Sequence, residues 1–548
     1  MAIIDGSAPE CRLLRVRIAP GYSINRSQGR DNGLTRRPSL RKEIFNLDHD
    51  QLTNVLDLAE IVVAELGLTG VRYCNGWRRP RLAWRLVDLD IGQLCALGRR
   101  LQAPIEQGIR NTVRYLKWHP HVLEAVRRRT HTADRDKTAM RLLISAYACA
   151  PRHGSEHGVG WNWITEAHRL GHTVWALVSP NHQDAIATAC AESPDLAGIN
   201  WVFPKVPGWP LKQATEPKWE RTYNLLWQTI AVDVARDLHA KVGFDAVHHL
   251  TWGGVRAPTF MGSLGVPLIV GPLGGGETSP RLLRDEFHFK AKLTETIRDL
   301  SNMTITFNPL VRRGLVDASV IFVKTPDTRR LLSHAMQKKA VEFIELGLRG
   351  PQPPTPDRPA RPPRLLFAGR LLYWKGAHIA IRALAKLAQR LPGAQLTVVG
   401  RGKEQDRLKA AAARYDLGAN IEFIPWLPQR DLFALYRSHD LFIFPSLHDS
   451  SGGVVLEALW FGLPVVCLDI GGPKQIVTSD AGIVISTAGR NTAQVAAAMA
   501  DEIFCVLSSP SRLSALSFGA STRARRFILS SRIAKFYDLA ADFMARSK

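Results

Sequence analysis

Residues 442–472, FIFPSLHDSSGGVVLEALWFGLPVVCLDIGG, read as a strand, a glycine-bearing loop, a short helix and a second strand. The apolar run Leu441, Phe442, Ile443 and Phe444 ends at Pro445, as a parallel strand covered on both faces does. The loop 446–453 then opens a helix that Gly462 and Pro464 close, and the next strand begins at Val465. A helix that starts at a strand end offers unpaired backbone N–H groups and the positive end of a dipole. Glycines such as Gly452 and Gly453 let a phosphate approach them closely. Two carboxylates, Asp449 and Glu457, bracket this loop, and one set a turn or so into the helix suits a sugar or ribose hydroxyl.

The same alternation extends in both directions. Upstream, RLLFAGR, AIRALAKLAQRL, QLTVVG, IEFIPW and LFALYRSH alternate strand with helix after a proline-rich stretch, GPQPPTPDRPARPPR at 350–364, that is too rich in Pro to pair in a sheet. Before that stretch the alternation runs from RLLISAY at Arg141 through TVWALVSP to strand candidates at 246–250, 267–270 and 318–323. Alternating βα units predict an open parallel sheet with helices on both faces. The expected fold class is therefore α/β, with two doubly wound Rossmann-like domains facing a cleft. The expected domains are an extension of unassigned structure at 1–139, a first Rossmann-like domain at 140–349, a proline-rich linker at 350–363 and a second Rossmann-like domain at 364–548 ending in a packing helix. Within the extension, 50–66 and 105–126 carry loose helical patterns. Met140 is a candidate translation start, an expectation that native peptides upstream of it would overturn.

Composition limits the partners. A chain of 548 residues, 45% hydrophobic and 22% charged, has an ordinary globular make-up. Its seven cysteines are scattered and include no C-x-x-C pair, which points away from a disulfide framework or zinc site and towards a reducing cytoplasm. No apolar stretch is long enough to span a membrane. The net charge of +23 calls for an anionic partner. Finger spacing, RNP-like strands and basic zippers are all missing, so nucleic acid is not expected. A phosphorylated substrate or peripheral contact with an anionic membrane fits instead. D-x-D matches at 48–50, 88–90 and 134–136 lie in the featureless extension, and no metal is expected.

Four further segments place chemistry at strand ends. In CAPRHGSEHGVGWNW, at 149–163, Gly158 and Gly160 lack the third glycine of a dinucleotide fingerprint, which disfavours nicotinamide. Glu156 in that loop is a candidate for an acceptor hydroxyl. His248 and His249 end a strand in FDAVHHLTW, and alternation allows at most one of them to point straight into a cleft. GPLGGGE places Gly274, Gly275 and Gly276 after PLIV, where backbone approach to a ligand or a flexible hinge would justify three glycines. FAGRLLYWKG carries Gly369 and Arg370 at a strand end and Lys375 five residues on, two cations that can neutralise a diphosphate.

Taken in order, GSEHGVGWNW, HHLTW, GPLGGG, AGRLLYWKG and HDSSGGVVLEALWFGLPVV resemble the family-4 retaining glycosyltransferases of the GT-B fold, over roughly 140–548. The resemblance implies transfer of a hexose-type sugar from a nucleotide-diphosphate sugar to a carbohydrate or lipid-linked acceptor, without a cofactor. Its pair of glutamates falls on Asp449 and Glu457, implying that Glu457 holds ribose hydroxyls and that Asp449 touches the donor sugar. Asp449 is one methylene shorter than the family's glutamate. Arg370 and Lys375 would grip the diphosphate with the amides of Gly452 and Gly453, and Gly158 or Gly160 would approach it from the other domain. One of His248 and His249 would lie beside the donor sugar; the family spaces its two histidines by one residue, whereas here they are adjacent. A nucleotide-sugar epimerase or hydrolase on the same fold, or a non-catalytic binder of nucleotide sugars or polyanions, is the alternative.

Overall fold

The computed structural model describes residues 139–210, 216, 218–354 and 361–546, together with six short strands before residue 55. The chain divides into two compact units, Met1–Asp136 and Lys137–Lys548. In the first, the short strands pair two by two, antiparallel, and Leu52–Asn54 pairs with Ile44–Asn46 inside the stretch expected to be helical. The 105–126 pattern and the three D-x-D matches lie outside the described residues.

The second unit holds two parallel sheets. The first comprises β1 (Arg141–Ser145), β2 (Thr173–Leu177), β3 (Asn200–Val202), β4 (Ala246–His249), β5 (Leu268–Leu273), β6 (Val320–Val323) and β7 (Ala340–Glu342), in the order β7-β6-β5-β4-β1-β2-β3. The second comprises β8 (Arg364–Ala368), β9 (Gln395–Val399), β10 (Ile421–Ile424), β11 (Leu441–Phe444), β12 (Val465–Leu468) and β13 (Gly482–Ile485), in the order β10-β9-β8-β11-β12-β13. Five helices bear on the site: α1 (Ser155–Arg169), α2 (Phe289–Met303), α3 (Gln429–Ser438), α4 (Gly453–Trp460) and α5 (Leu529–Arg546).

The central strands are apolar runs because helices cover both faces of each sheet, and β4, β6, β11 and β12 are buried along their whole length. Edge strands β3, β7 and β13 are short or half-exposed, which is why their apolar signal was too weak to single out. Each sheet starts in its middle and winds outward both ways. The chain therefore reverses direction between β1 and β4 in one sheet and between β8 and β11 in the other, the crevices where such sheets receive ligands.

The terminal helix does not stay with the second sheet. α5 crosses back and packs Ile533, Phe536, Tyr537 and Ala540 into the core of the first, against Trp163, Ile144 and Phe322. Phe536 lies 3.9 Å from Phe322 and 4.7 Å from Trp163, centroid to centroid. Burying an aromatic side chain of this kind contributes roughly 1.5–3 kcal/mol, so the crossing is fixed by the first domain's core. The end of the 364–548 segment thus belongs structurally to the first sheet.

Candidate functional site

The second sheet's reversal point brings two loops together. After β8, the loop 369–376 carries Arg370 and Lys375; after its neighbour β11, the loop 445–452 leads into α4. Leu447 N–H donates to Trp374 O at 2.7 Å, and His448 stacks on the Trp374 ring at 5.0 Å. Gly376 permits this contact, since its φ is +75° and a Cβ there would sit 1.9 Å from Pro445 O.

α4 starts at Gly452, whose φ of +77° favours glycine, and no side chain caps the helix. Val455 N–H donates to Gly452 O at 3.0 Å, so among the described residues it is the amides of Gly453 and the residue after it that stay available to an anion. Asp449 shapes the approach instead. Its Oδ1 accepts from the N–H groups of Ser451 and Gly452 at 3.1 Å each, and its Oδ2 accepts from Lys375 Nζ in a part-buried ion pair. Burial raises the Asp449 carboxyl's pKa, but Lys375 and the two amides outweigh it and hold it below the usual range. Asp449 is thus drawn back onto its own loop. Arg370 is exposed, and its guanidinium has no partner among the described residues. Gly369 leads into it, tied by its N–H to Val399 O at 2.9 Å.

Glu457 lies on α4, its carboxylate oxygens accepting from Gln429 Nε2 and Tyr436 Oη at 3.1 Å each, both from α3. Burial raises its pKa above the ordinary carboxylate value despite these donors. Tyr436 and Gln429 are partners that a sequence pattern does not reveal, because α3 precedes α4 by a full strand.

The first sheet corrects the histidine pair. His248 turns into the core, with Nδ1 3.0 Å from Tyr537 Oη and Nε2 2.8 Å from Gly271 O, and its ring stacks on Phe536. Both nitrogens are occupied, so His248 is the member of the pair that is bound into the core. Burial lowers its pKa to about 3. His249, on the opposite face at the same strand end, keeps Nδ1 buried and without a hydrogen bond, and burial lowers its pKa to about 4.

The glycines after β1 are also placed differently from expectation. A Cβ on Gly158 would meet His153 O at 2.1 Å and one on Gly160 would meet Ala148 O at 2.2 Å, so their bareness lets α1 press onto its own loop. Gly154 is the glycine of this loop with open space around it. Glu156 is exposed, and its Oε1 accepts from Gly253 N–H at 3.1 Å.

The 274–277 loop is a bridge rather than a free hinge. Gly275 N–H donates to Ser450 Oγ at 2.9 Å, and Ser450 Oγ donates to Glu277 at 2.5 Å. A Cβ on Gly274 would lie 2.8 Å from that of Ser450, and one on Gly276 would meet Thr328 backbone at 2.5 Å. Beside it, Lys324 at the end of β6 donates to Glu345 at 2.7 Å and to Ser451 Oγ at 3.2 Å. These contacts join the two sheets' strand ends across the cleft. Lys324, Glu345 and Glu277 were not singled out from sequence; the position of Lys324 directly after the apolar run VIFV was the available signal.

A second bridge centres on Glu295 of α2. It accepts from Ser279 N–H and from Tyr373 Oη at 3.1 Å each and lies 3.1 Å from His448 Nε2. Burial raises its pKa, but His448 and Ser279 outweigh that and lower it to about 2. A depressed carboxyl stabilises the fold above its unfolded value and loses that contribution as pH falls towards the folded one. We expect Glu295→Ala to cost about 3 kcal/mol at neutral pH, the usual scale for breaking a buried pair. Chemical denaturation should show the wild-type advantage shrinking from about pH 4.5 down to about 2.

Two doubly wound domains that meet across a cleft, with cations and a helix N-terminus at one reversal point, define the GT-B architecture. Residues 352–505, which contain both loops of the second sheet's site, match the family Glycosyl transferases group 1. A glycogen synthase of Mycobacterium tuberculosis is 37% identical over 139 residues, 25% of this chain and 33% of that protein. A D-inositol 3-phosphate glycosyltransferase of Nocardia farcinica is 32% identical over 257 residues, 45% of this chain and 53% of that protein. The chain thus spans about a third to a half of the length of these curated relatives. The structure of a sucrose-phosphate synthase from Thermosynechococcus elongatus superposes with a TM-score of 0.51 at 18% identity, over 74% of this chain and 99% of that one, a likeness of fold.

Proposed function

We propose that this protein is a glycosyltransferase that moves a hexose-type sugar from a nucleotide-diphosphate sugar to an acceptor hydroxyl, with retention of configuration. The observation that carries the reading is the convergence of Arg370, Lys375 and the uncapped start of α4 at the reversal point between β8 and β11. Arg370 is a cation with no partner among the described residues, and Lys375 is held in place by Asp449. Together with the amides of Gly453 and the residue after it, they suit a diphosphate that gains charge as it leaves.

In the proposed reaction, the bond between the anomeric carbon and the diphosphate oxygen breaks, and the pair of electrons leaves with the diphosphate. The acceptor oxygen attacks from the same side, and its proton passes to the departing oxygen. The route depends on charge stabilisation, which fixed cations and amides supply where water is excluded, so it requires no metal. Glu457 would receive ribose hydroxyls, exchanging its Gln429 and Tyr436 donors for those of the ligand. Asp449 acts by positioning Lys375 and shaping the α4 entry. His249 is the histidine proposed to meet the sugar. The acceptor is a growing polysaccharide or a glycolipid, and the reaction is placed in the cytoplasm.

A panel of nucleoside diphosphates and nucleotide sugars screened by thermal shift tests the reading, because a ligand of the folded state raises its melting temperature by mass action. A donor that stabilises the chain and loses its sugar only in the presence of an acceptor is the expected result. Turnover of donor alone would favour an epimerase or hydrolase, and no stabilisation by any nucleotide would overturn the assignment. Glu457→Ala should weaken binding of that donor by roughly 10- to 100-fold, the value of hydrogen bonds to a charged acceptor, as read by calorimetric titration. Unchanged affinity would remove Glu457 from the donor site.

A further inference from the structure

α2 is built inside out. Its buried side is polar: Arg298 donates to Glu277 O at 2.8 Å, Asn302 to Gly276 O at 3.1 Å, and Glu295 anchors Ser279. Its outer side is apolar. Phe289, Leu293, Ile297 and Leu300 fall on one stripe at helical spacing and are 78%, 50%, 57% and 62% exposed. The stripe includes Met303 at the helix end and continues past it through Phe307 and Leu310, and these three are 74%, 80% and 52% exposed. Water-soluble surfaces rarely leave so contiguous an apolar patch uncovered.

The exposed charges beside the stripe are mainly basic. Lys290 and Lys292 flank it on either side of the helix and are exposed, and Arg312 follows Leu310, while Arg313 is paired with Asp317 at 4.0 Å. The helix's carboxylates are turned away: Glu295 is fully buried, and Asp299 pairs with Arg284 at 2.7 Å. An apolar stripe edged by lysines, with no acid on its outer face, has the composition of a helix that lies in the plane of an anionic lipid surface, its lysine stems reaching up to the headgroups. A protein partner of neutral or basic character would leave these cations unpaired.

We propose that the α2 face, from Phe289 to Leu310, docks this protein onto an anionic bilayer. The helix would insert its apolar stripe at the level of the acyl boundary. Because α2 also holds the 275–279 loop of the cleft through its opposite face, docking would set the cleft beside the membrane surface. The donor chemistry is independent of this inference, and nucleotide binding measured on the same variants separates the two.

The test is flotation of the full chain with vesicles of phosphatidylcholine alone or with 30% phosphatidylglycerol, about 0.1 M salt being present to limit diffuse attraction. Binding to the anionic vesicles should exceed that to neutral ones. Leu293→Glu with Ile297→Glu should reduce it at least about tenfold, since buried apolar area and charge both contribute. Both positions are exposed, so the fold should persist, as nucleotide-dependent thermal shift would show. In Leu293→Trp, the emission added over that of the fourteen native tryptophans, read as the difference from wild type, should move to the blue and be quenched by brominated lipid chains. Equal binding by wild type and the double variant, or no emission change, would overturn the proposal. So would a wild-type oligomer that the double variant dissolves without any lipid binding, which would assign the face to a second copy of the chain.

Discussion

Lys375→Ala and Arg370→Ala should each lower sugar transfer about a hundredfold or more, the scale of losing one preorganised group that meets charge formed in the transition state. The two cations reach the site by different means. Arg370 is exposed and unpaired among the described residues, so its removal should leave the fold unchanged and act on turnover. Lys375 is part-buried against Asp449 and lies 5.3 Å from the Phe444 ring centre, so its removal also strands a part-buried carboxylate. Lys375→Ala with Asp449→Asn is the control, since it removes that stranded charge while still lacking the cation. Measured kcat/KM should stay depressed in the double variant even as its melting temperature recovers. Near-normal turnover in both single variants, with the protein folded, would refute the diphosphate assignment.

The histidine pair should separate stability from chemistry. His248→Ala removes a ring bonded to Tyr537 and Gly271 and stacked on Phe536, and is expected to cost about 3 kcal/mol or more of stability through lost packing and stranded polar groups. Activity per folded molecule should change little. His249→Ala should cost less stability than His248→Ala, since its buried Nδ1 makes no hydrogen bond among the described residues, and should lower transfer at least about tenfold, the low end of what a positioned histidine contributes. The pH dependence gives an independent reading. His248 is neutral in the fold, with a pKa of about 3, so the unfolded chain takes up its proton first. Its stabilising effect is complete above about pH 6.5 and erodes as pH falls towards 3. The stability gap between wild type and His248→Ala should narrow over that window in denaturant titrations. The reverse pattern, an unstable His249 variant and an inactive but stable His248 variant, would exchange the two roles.

Much of the architecture was legible in the chain because it is written locally. Runs such as VIFV and LFIF, buried on both faces, declare central parallel strands, and the loop into α4 shows its glycines at the strand end. Of the four edge strands, β10 was legible in IEFIPW, whereas β3, β7 and β13 were not, being three or four residues long and partly exposed. Gly158 and Gly160 misled because a glycine spared for helix-to-loop packing has the same letter as one spared for a ligand. What distinguishes them is a carbonyl about 2 Å from the missing Cβ.

Two parallel sheets, their strand-end loops and the order of Arg370, Lys375, Asp449 and Glu457 along one of them are written in the chain, because hydrophobic periodicity and turn chemistry act over a few residues. Which histidine enters the core is set by long-range packing, since it depends on α5 returning across 289 positions to place Tyr537 beside His248. Tertiary packing likewise decides that Asp449 holds Lys375 and that α2 turns its apolar side outward. Each of these is a choice of partner or of face, and such choices are set by what packs against an element from far along the chain.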